Sequence, residues 1–117
     1  MDYQSFQEKV LKISPSIRYA TITDLNGRIK VSGHRKGVKN LLTAQESLQS
    51  LKTSANTWKA RNKLARKIGK GKYALAEYEK IKRIVIPLGK NHLLYLTTSA
   101  RADHTKILRQ ATRLKLK

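Results

Sequence analysis

The stretch Trp58 to Lys72, WKARNKLARKIGKGK, holds seven Lys or Arg in fifteen residues and no acid. Cations at that density have one ready chemistry, the holding of polyanions, phosphate above all. Placed on a helix, Lys52, Lys59, Lys63, Arg66 and Lys70 fall in one arc about 60° wide. Lys67 extends the arc. Beside it runs an apolar stripe of Leu48, Leu51, Ala55, Trp58 and Ala65, with Arg61 on the far side. The stripe has the width of a core-facing edge. A row of this length spans about 27 Å, enough to follow several phosphates along a groove.

Two other segments carry the same chemistry. Near the C-terminus Lys106, Arg109, Arg113 and Lys117 share a face opposite Ile107, Ala111 and Leu114. Between them and the N-terminus, HRKGVK places Arg35, Lys36 and Lys39 around Gly37. Backbone N–H groups of such a loop can join phosphate contact, although Gly37 serves equally well to close a turn. The cations expected at phosphate are therefore Arg35, Lys36, Lys39, Lys52, Lys59, Arg61, Lys63, Arg66, Lys67, Lys70, Lys72, Arg109 and Arg113. The plainer reading of any one charged helix face is solvation.

Whole-chain charge favours the sharper reading. Twenty-six Lys and Arg oppose seven Asp and Glu over 117 residues, for a net charge of +19. A domain of this size ordinarily carries about 2 to 8 charges net. The excess is the footprint of a binder of anions. Residues 1–33 carry +2, residues 34–90 carry +12 and residues 91–117 carry +5.

Other chemistries find little support. GKGK has the wrong glycine spacing for a nucleotide loop and no Ser or Thr after its lysine. His34, His92 and His104 are far apart and lack carboxylate neighbours, so neither metal nor cofactor is expected. Few acids stand close enough together for acid–base work, and Glu77 and Glu79 adjoin Lys80 and Lys82 as ion-pair partners. The chain thus reads as non-enzymatic. Tyr73 and Tyr78 read as core or sheet residues, as do Tyr19 and Tyr95, and Trp58 reads as buried. Cysteine is absent, which suggests an intracellular protein. The N-terminus MDYQSFQEKV lacks the form of a signal peptide. No apolar run is long enough to span a membrane, and the basic helix lacks the large apolar anchors that interfacial binding favours.

The elements that position these residues follow from periodicity. Tyr3, Phe6, Val10 and Ile13 predict a helix over residues 2–13, capped by Asp2 and stopped by Pro15. IRYATITD and RIKVSGH predict two strands around a tight Asn26-Gly27 turn. Thr43 and Glu46 form a capping box that starts a long helix of about 25 residues, ending near Gly69 and Gly71. YALAEYE, KRIVIPL and HLLYLTT predict three strands, and Ala102 to Leu116 a last helix. The result is one α/β (α+β) domain over residues 1–117, in the order α-β-β-α-β-β-β-α. A five-stranded antiparallel sheet flanked by helices satisfies it, and the runs IVI and LLYL call for cover on both faces.

That order resembles the roadblock, or dynein light chain-like, fold among the profilin-like architectures. The wording PLGKNHLLYLTTSARADHTKIL, with KYALAEYEKIKRIVIPL, also resembles a small uncharacterised family from ammonia-oxidising archaea. The roadblock resemblance implies homodimers that share the long helix, and partners such as small GTPases or scaffold proteins. Residue chemistry instead predicts a DNA-binding protein. It would hold the backbone of double-stranded DNA, with RNA possible, in a largely sequence-nonspecific way. Lys dominates the row, and Lys reads base edges poorly. Such a protein would be cytoplasmic and nucleoid-associated. The alternative is a roadblock-type protein-interaction module regulating a small GTPase or scaffold.

Overall fold

The computed structural model describes residues 2–115. Its elements are α1 (Tyr3–Leu11), β1 (Ile17–Asp24), β2 (Ile29–His34), α2 (Ala44–Asn62), α3 (Ala65–Ile68), β3 (Ala74–Glu77), β4 (Ile81–Leu88), β5 (His92–Ser99) and α4 (His104–Ala111). The five strands form one antiparallel sheet in the order β2-β1-β5-β4-β3. This is the α+β architecture expected, with β5 at its centre between β1 and β4.

Strand side chains alternate between faces, and here each face meets helices. Phe6 and Val10 of α1 and Ile107, Leu108 and Ala111 of α4 pack on one face, against Ile22, Ile84, Ile86, Leu94 and Leu96. Leu51, Ala55 and Trp58 of α2 pack on the other, against Leu93 and Tyr95. The continuous apolar runs of β4 and β5 thus divide residue by residue between two cores.

Both N-terminal caps form as read. Asp2 accepts the Ser5 N–H at 2.9 Å, and the Thr43–Glu46 capping box closes in both directions at 3.1 and 2.9 Å. The first hairpin differs from the two-residue turn expected. Asn26 keeps a negative φ and only Gly27 turns positive, at 84°. The Gly27 N–H bonds the Asp24 carbonyl, and the Asp24 N–H bonds the Arg28 carbonyl. Leu25, Asn26 and Gly27 therefore make a three-residue loop, with glycine at the one left-handed position. The Asp24 carboxylate accepts N–H bonds from Asn26 at 2.8 Å and Arg28 at 3.0 Å.

The long helix also differs. It ends at Asn62, where the Lys63 and Leu64 N–H groups drop back to the carbonyls of Ala60 and Arg61. A separate turn, α3, follows. Between Trp58 and Gly69 no apolar side chain is buried: Leu64 is 53% exposed and Ile68 79%. Like charges three and four residues apart then weaken the helix unopposed. The last helix ends at Ala111, where the Thr112 hydroxyl donates to the Leu108 carbonyl at 2.8 Å. The helix expected through Leu116 is thus shorter, with residues 112–115 in turn and coil, while Leu116 and the Lys117 end of the basic face lie outside the described residues.

Two cations are structural. The Arg35 guanidinium turns inward and donates to the carbonyls of Ile17, Ser14 and Leu11, at 2.9 and 2.8 Å for the first two. It ties the α1–β1 connection to the end of β2. Lys82 is 7% exposed. Its ammonium donates to the Ala102 carbonyl at 2.8 Å and to His104 Nδ1 at 2.9 Å, with Glu77 at 4.0 Å. The ion pairing expected between Glu77 and its lysine neighbours is thus a loose contact across β3 and β4.

Two predictions follow from these anchors. Arg35→Ala removes a donor from three carbonyls, of which Ser14 keeps the Ile17 N–H, and should lower unfolding free energy by about 3 kcal/mol in urea denaturation, with Arg35→Lys recovering little of it. Asp24 is held below its ordinary value of 3.8, by the Arg28 N–H foremost, then the Asn26 N–H and the charges of Lys30 and Arg28, against some desolvation. Its contribution is complete above that ordinary value and disappears as pH falls through the lower folded one. Asp24→Asn should therefore flatten the most acidic limb of the stability–pH profile and leave its neutral slope unchanged.

Candidate functional site

Helix α2 lies on its sheet face along a narrow seam. Trp58, 2% exposed, sits at the C-terminal end of that seam, with Leu51 at the other end. Residues 69–73 fold back over the indole, and a Cβ on Gly71 would stand 3.3 Å from its ring atoms. The Arg61 guanidinium stacks 5.9 Å from the ring centroid, a cation–π distance. Beneath the seam, burial holds the Tyr95 phenol above its ordinary 10, partly offset by a Thr23 hydrogen bond and the Arg83 charge.

Turns of the chain lock α2 sideways. A Cβ on Gly27 would meet the Lys52 Cα at 3.3 Å, so the β1–β2 loop presses on the helix backbone. Lys59 donates from its ammonium to the Asn26 side chain, and Arg83 of β4 donates to the Ser50 hydroxyl.

The expected phosphate-binding cations do not form one surface. Lys52 and Lys59 share a flank of α2, while Arg61 leans over the opposite flank. Lys63 falls at the helix break, Arg66 and Lys67 on α3, and Lys70 and Lys72 on the returning segment. Lys36 and Lys39 are exposed on the loop before α2, and Arg35 is bonded within the fold. Arg109 and the nearby Arg113 belong to the α4 end, whose helix packs on the other face of the sheet from α2. The straight row of cations is broken at Lys63, and the two basic helices point away from each other.

The outward face of α2 carries no cation, and its one charge, Glu46, lies in the first turn, where its carboxylate accepts the Thr43 N–H. Gln49, Thr53, Asn56, Thr57 and Ala60 are all exposed along it, opposite the seam at 100° per residue. A groove flanks the helix on each side. One, of about 750 Å³, runs between Ser50, Thr53, Ser54 and Thr57 of α2 and the strands β3 and β4. The other, of about 350 Å³, lies between the start of α2, the loop 39–42 and strands β1 and β2. Leu48 was expected on the buried stripe but is 48% exposed at this second groove, with Leu41 and Ile29 nearby. Tyr73 and Tyr78, expected in the core or sheet, flank the short edge strand β3 and are about half exposed. Sequence reasoning placed Leu48 on the buried stripe and passed over Ile29 and Leu41. The doublet Leu41-Leu42 in a mostly polar loop was the available signal. Among the described residues no cluster of three His, Asp or Glu stands ready for a metal, and no helix is long and apolar enough to cross a membrane.

This architecture is shared with solved roadblock and profilin structures. Gliding protein MglB of Thermus thermophilus superposes with a TM-score of 0.74 at 19% identity, over 92% of this chain and 81% of that one. A Roadblock/LC7 domain from Streptomyces avermitilis gives 0.73 at 13% identity, over 97% and 93%. Schizosaccharomyces pombe profilin gives 0.66 at 13% identity, over 96% and 91%. No protein-family profile and no curated protein matches the sequence. The fold is therefore roadblock/profilin-like.

These findings correct the nucleic-acid reading. The fold is that of roadblock/LC7 domains, the architecture behind the alternative, and the cations meant to grip double-stranded DNA or RNA are divided between opposite sides of the sheet. A nucleoid-associated location has no support once that contact is withdrawn.

The seam itself is testable. Trp58→Ala should cost about 3–5 kcal/mol in denaturant unfolding followed by far-UV circular dichroism, because it removes the largest side chain under α2. Arg61→Ala, at the exposed side of the ring, should cost under about 1 kcal/mol.

Proposed function

We propose that this chain is a non-enzymatic protein-interaction module of the roadblock type, which pairs with a second copy along α2 and engages a small GTPase or a scaffold protein. The outward face of α2, which bears no cation, carries the reading. A strongly basic helix would resist a copy of itself, since like charges brought together across an interface repel. Here Gln49, Thr53, Asn56, Thr57 and Ala60 face outward and the cations stand to the flanks. Two such helices can meet about a two-fold axis through short polar side chains. The roadblock resemblance implies this helix-sharing dimer and its GTPase or scaffold partners. The absence of cysteine suits a place inside the cell.

Light scattering after size exclusion should report a dimer. Thr53→Arg puts an extra charge on each side of the two-fold contact and should yield a folded monomer. Isothermal titration with purified small GTPases, loaded with GDP or a GTP analogue, should show binding to one nucleotide state in preference to the other. A wild-type monomer that binds neither state would overturn the proposal.

A further inference from the structure

The smaller groove beside α2 combines two features. Ile29 of β2, Leu41 of the β2–α2 loop and Leu48 of α2 converge on it, at 42%, 54% and 48% exposure. A strand, a loop and a helix thus place half-bare apolar side chains around one cleft. All the charged side chains that line it are cations: Arg18, Lys39 and Arg83. Arg18 uses one guanidinium nitrogen on the Lys39 carbonyl at 3.0 Å. Arg83 uses one on the Ser50 hydroxyl. Each keeps further N–H donors, and a guanidinium takes a carboxylate in a two-pronged geometry.

From this combination we infer that the groove is a docking site for an acidic peptide segment of a protein partner, one that sets large apolar side chains between carboxylates. The inference rests on the reading of this chain as an interaction module, and it adds where a partner binds and with what chemistry. Apolar side chains supply the anchor by covering Ile29, Leu41 and Leu48, and the rim cations set the sign of the ligand. A basic or neutral segment lacks the second half of that match. The cleft is open along α2 and its apolar walls are only partly covered, as suits an extended or helical segment laid in from the side. The cation-free pairing face of α2 points away from it, so a paired protein keeps the groove accessible.

A random-peptide phage library panned on the immobilised full chain tests this. Enriched peptides should be acidic and carry Leu, Ile, Phe or Trp. A synthetic, fluorescein-labelled version should lose more than about tenfold in affinity on Leu48→Glu, measured by anisotropy. Lys39→Glu should weaken it several-fold, with a weaker salt dependence than wild type. Arg109→Glu, on the far side of the sheet, should leave affinity unchanged. Leu48 is half exposed, so the variant should fold; circular dichroism checks this, and Lys39→Glu stands in should it fail. The proposal is overturned by no enrichment, by peptides without acids, by indifference to both groove variants, or by an equal loss in Arg109→Glu. Light scattering on the same samples separates the two readings. A dimer that enriches no peptide removes the groove alone, and a monomer that binds acidic peptides removes the self-pairing alone.

Discussion

The contact of Trp58, Ala55 and Leu51 with Leu93 and Tyr95 decides what the rest of the surface can do. It is a narrow strip under a helix of 19 residues. Because the strip is narrow, α2 leaves sheet uncovered on either side, and a groove opens along each flank. Because the strip is deep, with Ala55 wholly buried, the helix is held firmly enough to present its far side as a fixed surface. Loss of the indole would remove the bearing on which both properties turn.

Charge and shape then divide the labour around that helix. A count of +19 suggests one continuous cationic surface, and the fold distributes the charge otherwise. One arginine, Arg35, serves as an internal cap for the α1–β1 connection, and one lysine, Lys82, is sealed beneath the start of α4. Others are spread over the helix break and the return to β3. What remains beside α2 is a small set of cations next to apolar side chains. Such a mixture discriminates among partners through sign and supplies affinity through burial.

Much of the architecture was legible in the residues. Ile17–Asp24 emerged as a strand because β-branched side chains recur between clear stop signals, and the Thr43 capping box marked the start of α2 to the residue. Pattern alone could not show where the long helix ends. Its apolar period continues through Ala65, but a periodicity counts directions around a rod and carries no information about where the opposing sheet stops. The same gap misplaced Leu48, which points toward the sheet side one turn before the buried strip begins. Arg35 was indistinguishable from its neighbours Lys36 and Lys39 by type, and only the fold shows that three carbonyls claim it. The groove was invisible for a related reason: Ile29, Leu41 and Leu48 come from a strand, a loop and a helix, which share no period.

The passage of residues 69–73 over Trp58 has a mechanical consequence. Gly71 lets the main chain ride directly on the indole, and a few residues later that chain becomes the outermost strand of the sheet. Helix and sheet margin are thereby coupled like a lever and its strap. The C-terminal end of α2 and the run into β3 therefore share one bearing, the face of the indole.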